Sequence, residues 1–397
     1  MTTVPNINLP EFQPLTPPRR TLMGPGPSPV HPRVLGALAA PTVGHLDPAF
    51  LGYMDEIQVL LRGLFGTANR LTFPVSGTGS AGMEACMVNV LEPGDRVVIA
   101  QNGVFGGRMA DIARRLGCEV VKVEVPFGEA VQPEALAQAL AGADTKLVGC
   151  VHAETSTGVL QDVAGLAKVA RAAGALCMVD CVTSLGGVPV TLDAWDVDLA
   201  YSGTQKCLSC PPGLSPVSFS ERAVAVVKAR KTPVASWYLD VTMLLNYWGG
   251  ERVYHHTAPI NMLYGLREAL LVVFEEGLEQ VYARHLRMHR ALVAGLSALG
   301  LSMVVEPELR LPPLNTVWVP AGVNDGALRK RLLAEYGLEI GGGLGSLAGK
   351  AVRIGLMGQG ATPQHVLTCL GALESALSAE GMAVPRGVGV DAARALI

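Results

Sequence analysis

Lys206 lies at the end of Tyr201-Ser202-Gly203-Thr204-Gln205-Lys206, just after a short apolar stretch and shortly before Pro211-Pro212-Gly213. An ammonium group is costly to desolvate, so a lysine among small and polar residues inside an apolar chain calls for a reason. Upstream, Leu176-Cys177-Met178-Val179-Asp180 reads as a buried strand that ends in a carboxylate. Taken singly, each has an ordinary explanation. The lysine could snorkel from a loop, and the aspartate could serve a cap or a turn. Together they match a specific chemistry: an amine that attaches covalently to an aldehyde, and a carboxylate that keeps a ring nitrogen protonated.

A third motif supplies the other end of such a ligand. Gly77-Thr78-Gly79-Ser80-Ala81-Gly82 fits G-x-G-x-x-G, follows the strand-like Leu71–Val75 and opens a helix near Met83. A dinucleotide site would also need an acidic residue at the end of the next strand. Asp95 comes before that strand, Arg96–Ala100, which runs instead into Gln101. The same loop suits a single phosphate, with glycines admitting the backbone, helix-start amides aimed at the anion, and hydroxyls on Thr78 and Ser80. A plain strand-to-helix turn remains the alternative. A phosphate loop, then a strand-end carboxylate and then an amine point to pyridoxal 5′-phosphate.

Arg353, in Val352-Arg353-Ile354-Gly355, puts a guanidinium inside a short strand. It could close an ion pair between domains or clamp a substrate carboxylate in bidentate fashion. Phe105, between Asn102-Gly103-Val104 and Gly106-Gly107, is either a core aromatic or a face for a flat cofactor. Cys207 and Cys210 form a C-x-x-C that would need two more ligands to hold zinc, so core packing is expected. His285 and His289 have ligand spacing, but Arg284, Arg287 and Arg290 surround them; a solvated helix face is expected.

These groups need a scaffold. The 397 residues carry enough apolar material, at 49%, for a large buried sheet. A net charge of −3 without a basic block argues against nucleic acid and acidic membrane surfaces as partners. No apolar run reaches the roughly 18–20 residues that span a bilayer. Without a signal pattern, and ending Ala395-Leu396-Ile397 rather than in a peroxisomal address, the chain is expected in the cytoplasm, its eight cysteines reduced and packed. After a helical period at Leu51–Leu64, short apolar strands at Arg96–Ala100, Glu119–Val125, Lys146–Val151, Leu176–Asp180, Leu199–Tyr201 and Leu214–Phe219 are separated in places by helices such as Gly107–Leu116 and Val163–Ala173. That alternation predicts an α/β fold with a mostly parallel sheet covered on both faces. A long helical region from Met262 to Leu299, broken near Gly277, leads to a smaller α/β unit with strands Leu314–Val319 and Val352–Gly355. The expected division is an N-terminal arm, 1–21, a large domain, 22–276, and a small C-terminal domain, 277–397. The aromatic stretch 231–257 reads as a packed excursion or an interface. The tail from Gly381 reads as loosely held.

From about Leu22 to Ser378 the chain resembles the class V, fold-type I pyridoxal-phosphate aminotransferases, within them the alanine–glyoxylate (serine–pyruvate) group. The resemblance rests on Met23-Gly24-Pro25-Gly26-Pro27-Ser28, Asn89 to Asp95, Glu154 to Leu160, Val179-Asp180, Ser184 to Gly187, Tyr201 to Lys206, Tyr254-His255-His256-Thr257, Gly342 to Gly345 and Arg353 to Leu356. It implies that Lys206 carries the cofactor, Asp180 faces its ring nitrogen and Thr155 bonds its phenolic oxygen. Thr78, Gly79, Ser80 and Gln205 would hold the phosphate, joined by Tyr254 and Thr257 from the other subunit of a homodimer. Arg353 would take the substrate carboxylate, and the loop around Gly26 would shape a small pocket. Two positions depart from the pattern. Phe105 stands where the best-known members stack an indole, and Ser80 where they have histidine.

The implied activity moves an amino group from a small amino acid, alanine or serine, to glyoxylate or pyruvate in two half-reactions. A cysteine desulfurase-like lyase would need a nucleophilic cysteine well after the lysine, yet none lies between Cys210 and Cys369. An NAD-dependent dehydrogenase built on Gly77–Gly82 and a non-catalytic cofactor-binding protein are the remaining rivals.

Overall fold

The computed structural model describes residues 12–397; most of the expected arm, residues 1–11, lies outside them. Seven strands form the main sheet: β1 (Leu71–Ser76), β2 (Arg96–Gln101), β3 (Glu119–Glu124), β4 (Leu147–Val151), β5 (Leu176–Asp180), β6 (Leu199–Tyr201) and β7 (Leu214–Phe219). Their spatial order is β1-β7-β6-β5-β4-β2-β3. All neighbouring pairs are parallel except those of β7, which runs antiparallel to both β1 and β6. Every residue of β4 and β5 is buried, as a sheet covered on both faces requires. The edge strand β3 has no buried residue and exposes Glu119, Lys122 and Glu124, which keep that edge solvated.

The register puts the chemistry at one end of the sheet. Val151 pairs with Asp180, and Asp180 with Tyr201, so the carboxyl ends of β4, β5 and β6 finish level. Chain order reverses direction between β4 and β2, and ligands of open α/β sheets gather at such a point. The helix Gly79–Val90 lies directly on β6 and β7. A Cβ at Gly82 would stand 2.0 Å from Ser215 Oγ and 3.1 Å from Tyr201 Cβ, so only glycine permits that approach. The helix thereby brings its first turn to the strand ends.

Two large apolar clusters organise the described residues. One runs from Phe50 to Val281 around the main sheet; the other holds Met23 and residues from Met288 to Ala393. The second surrounds an antiparallel sheet of β8 (Leu314–Trp318), β9 (Gly341–Gly342) and β10 (Ala351–Gly355), ordered β8-β10-β9. Thr21–Leu22 pairs with Leu338–Glu339, tying the start of the expected large domain to the C-terminal cluster.

Two expectations fail here. The tail from Gly381 is not loose: Val388–Arg394 is helical, with Ala393 fully buried. It nests against the helix Leu278–Ala298 through two glycines, since a Cβ at Gly295 would lie 2.7 Å from Gly389 O. Seven residues are too few for a readable period. His285 and His289 are buried rather than solvated. His285 Nδ1 pairs with Val281 O at 2.7 Å and its Nε2 accepts from Gly358 N at 3.0 Å, while His289 meets Asn315 Oδ1 at 2.6 Å. The flanking arginines misled, because Arg284 is itself turned inward onto Glu276 and the carbonyls of Gly358 and Ala361.

Candidate active site

Lys206 sits five residues beyond the end of β6, and the segment Met23–Ser28 clamps it. Ser28 Oγ donates to Lys206 O at 2.6 Å, and Ser28 N donates to Gln205 O at 2.9 Å. The Lys206 ammonium donates to Pro25 O. Gly26 has φ +100°, and a Cβ there would lie 2.7 Å from Lys206 Nζ. Position 26 therefore needs glycine both for its backbone and for the lysine's passage. Burial pulls the Lys206 amine down to about 8, within reach of its neutral, nucleophilic form.

Asp180 closes β5 with its side chain almost wholly buried. Tyr201 Oη donates to its Oδ2 at 2.6 Å and Val182 N to its Oδ1 at 2.8 Å. Burial pushes the carboxyl up to about 6; the two donors counteract that, and the Glu154 charge adds to it. Tyr201 escaped the sequence reading as a site residue. Its signal was its place at the end of the next strand, in register with Asp180.

Thr78 precedes the helix Gly79–Val90 without capping it: its hydroxyl makes no hydrogen bond to the first turn. The helix start thus keeps free N–H groups beside Thr78, Gly79 and Ser80. Gln205 Oε1 is buried nearby with no partner. Phe105 lines the same cleft, whose empty space, open mouth included, is about 550 Å³; Thr155, Asp180 and Lys206 line it too. The helix carrying Phe105 begins at Val104, three residues earlier than expected. Phe105 N donates to Glu154 Oε2 at 3.2 Å, and Ser156 N and Oγ hold Oε1 at 3.0 and 2.6 Å. Glu154 is a second residue the sequence reading left without a role.

Arg353 comes to the same place from β10. Its Nε donates to Gly342 O at 2.7 Å and its Nη1 to Thr155 O at 2.9 Å. The ion-pair alternative is not met among the described residues: no carboxylate stands within 4.0 Å of this guanidinium. A nearly buried cation held only by carbonyls leaves room for an external anion. Tyr254 and Thr257 are exposed and do not line the cleft of their own chain. Their segment is anchored beside the phosphate loop, with His256 Nε2 3.0 Å from Ser76 Oγ. The four residues Cys177, Cys181, Cys207 and Cys210 are buried free thiols, Cys207 donating to Thr183 O at 3.2 Å.

The family model for "Aminotransferase class-V" matches residues 36–359. The chain is a class V aminotransferase. It is 39% identical over 394 residues to the (S)-ureidoglycine–glyoxylate transaminase of Bacillus subtilis, covering 95% of each chain. It is 42% identical over 369 residues to the alanine–glyoxylate aminotransferase of Rattus norvegicus, covering 92% of this chain and 89% of that one. The crystal structure of alanine–glyoxylate aminotransferase from Nostoc sp. superimposes with a TM-score of 0.93 at 50% identity, over 95% of this chain and 100% of the other.

This aminotransferase has the fold-type I architecture and depends on pyridoxal 5′-phosphate. The residues present fit that group. The uncapped helix start suits a phosphate, the buried Asp180 suits a protonated ring nitrogen, and among the described residues Lys206 is the single lysine lining the cleft.

Proposed function

We propose that this enzyme transfers the amino group of a small amino acid, alanine or serine, to glyoxylate or pyruvate, with the cofactor bound by the residues gathered at the cleft. Lys206 carries the cofactor at rest, Asp180 holds a proton at its ring nitrogen, and Thr155 bonds its phenolic oxygen. Phe105 covers one face. Thr78, Gly79, Ser80 and Gln205 bind the phosphate. Arg353 fixes the substrate carboxylate, and the Gly24–Gly26 loop shapes a small pocket beside the amine. The observation that carries the substrate reading is Arg353, a buried guanidinium with no anionic partner, reaching Thr155 O at 2.9 Å.

Pyridoxal phosphate, when bound, supplies an aldehyde for the amino group and a ring that takes up the electron pair left at Cα. Displaced by the incoming amine, Lys206 Nζ is free to take the Cα proton and to return one at the carbon that keeps the nitrogen. Its lowered pKa, about 8, suits a base working near neutrality. A charge-assisted contact to Asp180 is typically worth about 1.5–3 kcal/mol, and it matters most when the ring carries the extra electrons.

The same reading makes the enzyme a homodimer, with Tyr254 and Thr257 completing the partner's phosphate site. Supporting it are the 57% exposure of Tyr254 and the 62% exposure of Trp237 in the aromatic stretch beside the loop. It also divides the chain into an arm, 1–21, a cofactor domain, 22–276, and a small domain, 277–397; the two apolar clusters change over between Val281 and Met288, a few residues past the second boundary. No helix among the described residues is long and apolar enough to cross a membrane, which is compatible with a cytoplasmic enzyme. The desulfurase alternative finds no support: no cysteine lines the cleft, and burial pushes the Cys369 thiol up to about 12.

The test is a donor panel of alanine, serine and (S)-ureidoglycine against glyoxylate and pyruvate, with the cofactor spectrum recorded for each. Turnover of glyoxylate with alanine or serine is expected, and Lys206→Ala should lose both turnover and the lysine-bound absorbance. Reaction with ureidoglycine alone would overturn the small-donor assignment, and no reaction with either acceptor would overturn the whole reading.

A further inference from the structure

Of the residues lining the cleft, only Lys206 and Arg108 carry a positive charge. The lysine is committed elsewhere, on Pro25 O and beside Asp180. The loop read as the phosphate cradle offers neutral donors: Thr78, Gly79, Ser80 and Gln205. A phosphate monoester carries close to two negative charges at neutral pH, and hydroxyls, amides and a helix start balance only part of that.

Arg108 stands one helical turn after Phe105 on the helix Val104–Arg115. Neighbours at that spacing share a helix face. Its guanidinium carbon lies 5.0 Å from the centre of the Phe105 ring, and Nη1 donates to Ser80 Oγ at 3.1 Å. It has no carboxylate partner within 4.0 Å among the described residues. An exposed arginine without an anion usually extends into water; this one is laid across an aromatic face and ends on the loop. The Phe105 ring thus helps to hold the cation at the cleft that both residues line.

We propose that Arg108 is a phosphate-recognition residue of the cofactor site, its guanidinium held by Ser80 Oγ and the Phe105 ring so as to supply the charge that the neutral loop lacks. The proposal rests on the phosphate reading of Thr78–Ser80.

Two ligands differing only in the phosphate test it. The full-length protein, stripped of cofactor, is titrated with pyridoxal 5′-phosphate and separately with pyridoxal, following tryptophan fluorescence, with inorganic phosphate as competitor. Arg108→Gln should weaken pyridoxal 5′-phosphate by about tenfold or more, as loss of a charged hydrogen bond implies, and leave pyridoxal unchanged. Inorganic phosphate should compete less well with pyridoxal 5′-phosphate in Arg108→Gln, and Arg108→Lys should recover part of the loss. Equal weakening of both ligands would overturn the proposal, because it would mean that Arg108 acts only by packing Phe105; so would an unchanged ratio. Thr78→Val separates the two levels. If it lowers the ratio and Arg108→Gln does not, Arg108 alone is misassigned. If neither variant moves the ratio, the cradle reading falls as well.

Discussion

Tyr201 Oη donates to Asp180 Oδ2 at 2.6 Å across two adjacent strands, and the two residues are register partners at the strand ends. The phenol is itself fully buried, so the pair shares one solvent-excluded compartment. Burial drives Asp180 up to about 6, and this donor is the largest influence holding it down.

Tyr201→Phe should therefore raise the Asp180 pKa further. Loss of one hydrogen bond to a charged acceptor, about 1.5–3 kcal/mol, corresponds to roughly one to two pKa units. The carboxylate is the form that accepts the protonated ring nitrogen, so cofactor affinity should fail at a higher pH in the variant than in the parent. Cofactor binding by the apo protein, measured from pH 5 to 9, checks this; coincident pH profiles would rule out Tyr201 as a tuning residue. Asp180 also leaves a mark on stability. Its folded pKa is raised above the ordinary 3.8, so its contribution is intact below that value and is lost as pH rises through about 6.

Gly26→Ala tests the contact at the amine. A side chain at φ +100° costs about 1–2 kcal/mol in backbone strain, and the new methyl would fall within 2.9 Å of three Lys206 atoms. The flexible lysine can yield, but only by leaving Pro25 O and the line toward Asp180. Turnover should drop by more than tenfold while the folded state loses only about 1–2 kcal/mol. Normal kcat with lowered thermal stability would show that the glycine serves the backbone alone.

Much of this site could be read from strand ends. Lys206, Asp180 and the Gly77–Gly82 loop each follow a short apolar run, and runs of that kind locate themselves by composition. Tyr201 and Glu154 were harder. Their roles come from pairing across strands and from burial under a helix start, and linear spacing encodes neither. The inward turn of His285 was hidden for a different reason. The arginines around it looked like a solvated face, yet Arg284 spends its charge on Glu276 and on carbonyls of the segment after β10. The helix Val388–Arg394 was invisible because glycines, not a periodic apolar stripe, make its contact.

His285 yields the last prediction. Its Nε2 accepts from Gly358 N at 3.0 Å while Nδ1 faces Val281 O at 2.7 Å, an arrangement that only the neutral, Nδ1-protonated ring can satisfy. Burial is the main cause that lowers its pKa to about 4, with the adjacent Arg284 charge adding to it and Glu276 opposing it. A depressed folded pKa means that the stabilisation is whole above the ordinary 6.5 and drains away as pH falls toward 4, by about 3 kcal/mol at most. The consequence reaches the active site, because Gln359 N donates to Ser209 Oγ at 2.8 Å, three residues past Lys206. Acidification should therefore loosen cofactor and fold together. Denaturant unfolding at pH 7.5, 6 and 5, with cofactor release followed in the same samples, provides the check. His285→Leu should be less stable than the parent at pH 7.5 and should lose less on going to pH 5. A parallel decline in both proteins would mean that the acid sensitivity arises elsewhere.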